Sequence, residues 1–543
     1  MWIPQVLSGQ SCIPDSITFT TQSQIDSFPI NYPSCTEIEG GVTITGDDIT
    51  DLYGLSDITL IGGGLRIYDC GLLTKLSGLN NLTSINGYLS IEYNYWLTSL
   101  SGIYDLTYIG DYLKIWNNTN LHSITSLQRV TYIGGYLEIA DNNRLPSLAG
   151  LSKITSIEGY LLIEKNYNLI YLSALVNVTS IEGDLILRSN GFSNLAGLEG
   201  LTAVGGNLSI YENFFLTSIS ALTNLTFVGG HIIIGENYIL TSLTGLEGLV
   251  SIRGSLVIED ISDLPNLEGL DNVTTNDGYM FIYRNNVLVN LTGLDNVTSI
   301  GGYLKVSNTH NLTSLSGLDN VTSIGGYLEI EYNNKLTSLA GLESVISIGD
   351  YIAIYDNDSL ASLTGLNNVT SIGGYLKIVY NHTLSSLSGL DNINAESIEY
   401  LNLYANYLLS DCAILSICNY LKNPSGTTEI HLNAGGCKSP EEVQDSCIAN
   451  SFSIDDLHFK EGLSIHPNPF TTSTTIEYEL TEPSLVQLTI YNAIGETSYV
   501  AQEGIKQQGK HTFTWSPSHL PKGMYYAVMR SEEGVSVVKM IKQ

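Results

Sequence analysis

The sequence predicts an all-β chain. A parallel β-helix, a solenoid of leucine-rich-repeat type with about sixteen 24-residue coils and disulfide-stapled caps, precedes a small C-terminal antiparallel β-sandwich. Three observations carry this expectation. The block LTSLSGLDNVTSIGGYLEIEYNN (312–334) recurs with variation along most of the chain. Every unit holds an aliphatic L-x-I pair, whose alternation belongs to a half-buried strand. From residue 463 onward the repeat is gone, replaced by short alternating runs between Gly-, Pro- and Asn-containing turns.

Residues 1–41 read as an N-terminal cap. Within it TTQSQIDSF (20–28) is expected as one short helix over the first coil, and Cys12 is expected to pair with Cys35. Residues 42–409 are the solenoid. If the first residue of the L-x-I pair is the marker, sixteen markers run from Val42 to Leu401, and twelve of their fifteen spacings are 24 residues. The marker and its partner two residues on share one strand face. A single unit is too short to bury that face, so neighbours must stack and share a core, in rungs ~4.7–4.9 Å apart.

Leu312, Leu315, Leu318, Val321 and Ile324 would line the other inner faces, and Gly325-Gly326 would supply a corner at positive φ. Five residues past the marker, twelve of the sixteen coils carry Asn. A buried Asn can satisfy backbone groups of adjacent coils with both its donors and its acceptor. Asp47, Cys70, Ile261 and Thr309 occupy the other four slots, Cys70 as a buried, inert thiol.

Residues 410–447 form the C-terminal cap. CAILSICNYL is expected as a helix, and Ile430 and Leu432 of TEIHLN as the inward residues of a seventeenth rung. Ser439-Pro440-Glu441-Glu442 reads as N-cap, first helical position and acidic first turn. Six residues along a helix rise ~9 Å, too far for Cys412 to bond Cys418. Cys437 and Cys447 also flank a helix, so the bonds cross between the two groups, in either of two ways. Disulfides imply an oxidising compartment. Residues 448–462 read as a linker, and 463–543 as the sandwich, whose formal charge is −1.

The chain as a whole carries −32, although only 14% of its residues are charged. Such a surface excludes nucleic acid as a partner, because phosphate neutralisation needs clustered Lys and Arg. No apolar run reaches the ~18 residues of a transmembrane helix. Metalloprotease, nucleophile-elbow, phosphate-loop and calcium-loop motifs are missing, and the nine histidines share no repeat phase. The acidic pairs Asp47-Asp48, Asp455-Asp456 and Glu532-Glu533 read as solvated surface. No metal, cofactor or catalytic residue is expected.

The outward face of the long sheet is the candidate ligand face. One residue before the marker, Tyr recurs in ten coils, among them Tyr88, Tyr112, Tyr136, Tyr160, Tyr303 and Tyr327. Asp184, Asn207, His231 and Ser255 interrupt this column. One residue after the marker, the column turns apolar around the interruption: Leu162, Ile186, Ile233, Val257 and Phe281, broken only by Ser209. Aromatic columns give rigid contact area, although stacked Tyr also reinforces the rungs it stands on.

The pattern I-G-G-Y-L-x-I-x-x-N, with L-T-S-L-x-G-L between strands, resembles the receptor L-domain repeats of insulin- and epidermal-growth-factor-type receptors over residues 12–447. It is closer still to the bacterial secreted proteins built from arrays of them. The resemblance implies a right-handed β-helix; hormone-binding residues have no counterparts here. In the tail, His466-Pro467-Asn468-Pro469-Phe470, Ile476-x-Tyr478-x-Leu480 and Ile490-Tyr491-Asn492 with Gly495 come first. Gly509-x-His511, Trp515, Gly523-x-Tyr525 and Lys539-Met540 follow. Together they resemble the C-terminal sorting domain of type IX secretion.

That resemblance implies the secretion machinery as a partner, and a product released or held at the outer-membrane surface, the tail usually being clipped. It also implies an N-terminal export signal. MWIPQVLSGQS has no basic start and too short an apolar stretch, so the signal is expected to be missing from this chain. The leading functional reading is a non-catalytic recognition or adhesion rod binding an extracellular glycan or protein. A ligand-free spacer and a glycan-active enzyme are the competing readings.

Overall fold

The computed structural model describes residues 10–450, 463–492, 497–518, 520–531 and 534–543. Most of the expected linker 448–462, together with Asp455-Asp456, Gly495 and Glu532-Glu533, lies outside the described residues. The chain forms two compact units, Met1–Pro440 and Glu441–Gln543.

The first unit is a parallel solenoid. Its long sheet has eighteen strands, from Ile17–Phe19 to Thr428–His431. Each pairs with the strand one coil away in register, as Leu113 with Leu137 and Leu304 with Leu328. Register is set by the pattern, since a one-residue slip would turn every core side chain outward. The opposite flank carries two-residue strands in parallel sheets of six, four and five strands. Between them the core is continuous: Leu304, Val306, Leu312, Leu315, Leu318, Val321 and Ile324 are all buried, and so are their equivalents in other coils.

Four local features depart from the sequence reading. The N-terminal cap holds a rung of its own, Ile17–Phe19, which pairs with Val42–Ile44. Its helical segment is two short helices, Gln22–Asp26 and Phe28–Asn31, meeting at Ser27.

At the other end, the last rung sits two residues earlier than expected. Thr428 aligns with Leu401 and Ile430 with Leu403, so Ile430 is buried while Leu432 is 55% exposed at φ +57°. Thr428 occupies the marker slot because only then does Asn433 reach the Asn position.

The positive-φ corners are also elsewhere. Gly325 and Gly326 are not left-handed; a Cβ on Gly325 would lie 2.1 Å from the Gly301 carbonyl oxygen of the coil before. The pair is glycine because backbones of adjacent coils nearly touch. Positive φ falls instead on the glycine of L-x-G-L, such as Gly317 (φ +110°), and on the residue four beyond the marker, from Asp69 to Leu432. A non-glycine residue there costs about 1 kcal/mol. Inter-coil bonds such as Tyr93 N–H to the Trp116 carbonyl, 3.0 Å, hold it in place.

The fourth departure lies in the Asn slot, which extends one coil further than expected. Asn433 is buried and accepts the Asn406 N–H at 2.9 Å. Each ladder Asn accepts the backbone N–H of the residue in the same slot one coil back and donates Nδ2–H to a carbonyl there. Asn142 takes Asn118 N–H at 3.0 Å and gives to Ile115 O at 2.8 Å. Cys70 fits the same slot: its thiol donates to Ile44 O, and its N–H goes to Asn94 Oδ1 at 3.1 Å. Burial pushes that thiol up to about 12, which keeps it protonated and unreactive.

The expected cap helices run over Leu415–Lys422 and Pro440–Asn450, the latter with Glu441 and Glu442 in its first turn. Cys12 is bonded to Cys35, and Cys412 to Cys437, each with Cα atoms 5.7 Å apart. Cys418 and Cys447 are disulfide-bonded as well.

The second unit contains a three-stranded sheet, Leu463–His466, Thr474–Leu480 and Gly509–Trp515. It faces a four-stranded sheet of Ser484–Asn492, Thr497–Lys506, Gly523–Ser531 and Gly534–Lys542. All pairings between these strands are antiparallel. Ile476, Tyr478, Leu480 and Trp515 from one sheet share a core with Val486, Leu488, Ala527 and Met540 from the other.

Candidate functional site

The outer wall of the long sheet is built from side chains one before, one after and three after each marker, because these alternate away from the core. Exact register places like residues above one another. Tyr88, Tyr112, Tyr136 and Tyr160 form one stack, with centroids 4.4–4.8 Å apart and rings within 8° of parallel. Tyr279, Tyr303, Tyr327, Tyr351 and Tyr375 form a second, at 4.0–4.5 Å. All are half-buried. Burial, reinforced by the Glu138 carboxylate, pushes the Tyr160 phenol up to about 12; burial and the neighbouring Tyr327 do the same for Tyr303.

Between the stacks the missing rings are replaced by a ladder of acceptors. Asp184 Oδ1 accepts Asn207 N–H at 2.6 Å, and Asn207 Oδ1 accepts His231 N–H at 2.7 Å. His231 Nδ1 accepts Ser255 N–H at 2.9 Å, and Ser255 Oγ accepts Tyr279 N–H at 3.1 Å. Five rung steps separate Tyr160 from Tyr279, about 24 Å at ~4.8 Å each. Asp184, Asn207, His231 and Ser255 make a polar strip here, with Tyr160 at one end and Tyr279, its ring 6.3 Å from that of exposed His231, at the other. Beside it runs the apolar column. Leu162, Ile186, Ile233 and Phe281 are half-buried, while Val257, held between Ile233 and Phe281, is 6% exposed.

Several of the wall's charges are paired across coils. Lys305 Nζ meets Glu329 at 2.6 Å and Glu331 at 2.8 Å; Tyr355 OH donates to Glu329 at 3.1 Å and Ser307 Oγ to Glu331 at 2.8 Å. Burial alone would raise the Glu331 carboxyl, but bonds from Lys305, Tyr355 and Ser307 outweigh it and hold the group below its usual range. Glu138 is bound by Lys114 at 3.1 Å and by Tyr160 OH at 3.0 Å. These carboxylates are tied down rather than free for proton transfer.

The largest exposed rings lie off the wall, on the turn after the Asn ladder. Tyr95, Trp96, Phe214, Phe215 and Tyr238 are exposed there. Other coils carry polar residues in those places, such as Asn334 and Lys335; that departure was the available signal, and the sequence reading did not weigh it.

In the tail, the motif residues converge on the terminal strand. Asn468 donates Nδ2–H to Lys539 O at 2.6 Å and accepts Ile541 N–H at 2.9 Å. Pro467 and Pro469, on either side of it, follow cis bonds, and Pro467 O accepts Thr474 Oγ1–H at 2.7 Å. Gly523 opens the strand that carries Tyr525. Tyr525 is buried edge-on against Trp515 and donates to Pro521 O at 2.8 Å.

Among the described residues no helix is long and apolar enough to cross a membrane. Residues 464–543 match a secretion system C-terminal sorting domain. Residues 34–98 match a receptor L domain, and 208–328 and 274–410 a BspA type leucine rich repeat region in six copies. No curated protein matches the chain. The sorting domain marks the protein for secretion or attachment at the cell surface. The chain is thus a leucine-rich-repeat solenoid, with receptor L-domain and BspA-type segments, joined to a type IX secretion C-terminal sorting domain.

Proposed function

We propose that this protein is a non-catalytic recognition or adhesion protein of the cell surface or medium, delivered by type IX secretion, whose outer wall binds an extracellular glycan or protein. One observation carries the reading. The Tyr stack is interrupted, and the interruption is a polar strip between Tyr160 and Tyr279, flanked by Leu162, Ile186, Ile233 and Phe281. A ring inside a stack has both faces covered by its neighbours. Tyr160 and Tyr279 each end a stack, so each turns one face towards the strip, that of Tyr279 towards the His231 ring 6.3 Å away. Exposed aromatic surface beside polar groups is what recognition sites use.

Replacing Tyr136, Tyr160 and Phe281 with Ser tests this. Adhesion or pull-down of an extracellular ligand should be lost while the solenoid stays folded; unchanged binding places the site elsewhere. Removing residues 463–543 should leave the protein inside the cell on fractionation.

A structural spacer is the second reading, favoured by the stacks themselves, since most of their ring area is spent on neighbouring rungs. Glycan and protein arrays that return no signal would support it.

A further inference from the structure

On the turn flank, away from the wall strip, two adjacent coils expose four large apolar side chains: Phe214 (46%), Phe215 (64%), Tyr238 (39%) and Ile239 (39%). Phe214 and Tyr238 stack at 5.6 Å and 3°, so the patch is continuous from one coil to the next. Some later coils have His310-Asn311 and Asn334-Lys335 at the same positions, although the last again carries exposed Tyr407-Leu408, so the repeat does not need apolar residues there. Contiguous apolar surface of this kind marks an interaction site.

The charges beside the patch indicate what covers it. Glu236 lies under Tyr238, whose hydroxyl donates to it at 3.2 Å; Tyr211 OH donates to its other oxygen at 2.6 Å. Glu259 leans over Gly235, where a Cβ would sit 2.8 Å from its Cγ. Its carboxylate makes no hydrogen bond or ion pair among the described residues, although its backbone carbonyl accepts Glu236 N–H at 3.0 Å. The nearby cations are taken at the two ends: Arg188 by Glu212 at 2.8 Å, and Arg284 beside Asp260 at 3.9 Å. Elsewhere on the sheet the buried acids each have a Lys or Arg: Glu92, Glu138, Glu329 and Glu331. Glu236 and Glu259 have none. Burial and the repulsion of Asp260 and Glu236 raise the Glu259 carboxyl, so a cation arriving there relieves an existing strain.

We propose that this ridge docks an Arg- or Lys-bearing segment of a partner protein. The aliphatic stems lie on Phe214, Phe215, Tyr238 and Ile239, and the cationic heads reach Glu236 and Glu259. Long basic side chains combine those two properties, an apolar stem and a charged tip. The solenoid's acidity brings such a segment in, and the ridge fixes where it binds.

Fluorescence anisotropy with the full chain and a labelled dodecapeptide alternating Arg and Leu tests the proposal. Binding is expected, and the Phe214→Ser/Phe215→Ser/Tyr238→Ser variant should weaken it about tenfold although it changes no charge. Glu236→Gln/Glu259→Gln should weaken it to a similar degree and flatten its salt dependence, whereas Tyr136→Ser on the wall should leave it unchanged. Equal affinity in the aromatic variant would mean that the peptide follows bulk acidity alone, and would overturn the site. So would failure of the probe to bind, or a ridge that captures a neutral glucan hexasaccharide and ignores the peptide. Both charge and ring variants replace surface groups; matching circular dichroism melts confirm that each is folded.

Discussion

Asn118 Oδ1 receives the backbone N–H of Asn94 at 3.1 Å, while Asn118 Nδ2–H goes to Ile91 O at 2.8 Å. The side chain of one coil thus closes the corner of the coil before it. Repeated from Asn94 onward except at Ile261 and Thr309, this link replaces the solvent that a corner would otherwise need, in a buried region.

Asn142→Ala should therefore be among the most damaging single changes. It strands Asn118 N–H, now satisfied at 3.0 Å, and takes a 2.8 Å donor from both the Ile115 and Ala140 carbonyls, although Ala140 O keeps Asn117 N–H. The expected loss is about 3 kcal/mol, read as a lower urea midpoint. Hydrogen exchange should accelerate most at Asn118 and its neighbours.

The two kinds of glycine separate by mechanism. Gly325→Ala meets the Gly301 carbonyl and Gly317→Ala is held at φ +110°, so both should destabilise by more than about 1 kcal/mol. At Gly435 a Cβ meets nothing within 4 Å, and Ala should change stability by less than about 0.5 kcal/mol. Thermal melts of the three variants decide it.

Lys305→Met leaves Glu329 and Glu331 facing each other without their cation. At neutral pH it should cost about 2–3 kcal/mol, somewhat below a fully buried pair because Lys305 retains some exposure. Glu331 is held below its ordinary value in the fold. Its contribution is therefore present above the ordinary carboxylate range and lost as pH falls through the lowered value. Wild type and variant should converge in denaturant midpoint as the pH falls below the ordinary carboxylate range.

Asn468→Ala removes both bonds that hold Lys539 and Ile541. The terminal strand should loosen locally, raising amide exchange at residues 539–542. The secreted fraction should fall, measured by immunoblot of medium against cells. Normal export with raised exchange would separate the clamp from the sorting signal.

Much of this architecture was legible because one rule is written many times. Leu304 and Val306, Asn333, and Tyr303 each recur at the same phase, and stacking turns each phase into a column. What the repeat does not reveal is the gap between coils. Gly325-Gly326 looks like a turn, yet the scarce quantity there is space, while dihedral freedom is spent at Gly317 and at residues such as Tyr332. Leu432 misleads for a related reason: its hydrophobicity suits the core, but Asn433 fixes the phase and turns Leu432 out. The Lys305–Glu329–Glu331 cluster joins residues one and three past the marker on neighbouring strands, a diagonal relation that no single column displays. Phe214-Phe215 were visible as departures from the unit, but exposure was needed to give them meaning.

Tyr303 sits on Tyr279, and Tyr327 sits on Tyr303, by the same geometry, and Leu304 meets Met280 as Leu328 meets Leu304. Excising residues 304–327 would bring Leu328 onto Met280 directly after Tyr303, which stays stacked on Tyr279, with every inter-coil bond type retained. A lineage could therefore shorten or lengthen this array by unequal recombination in whole units. Each such event would move the polar strip nearer to or farther from the solenoid's C-terminal cap by one fixed step, like a bead slid along a graduated rule.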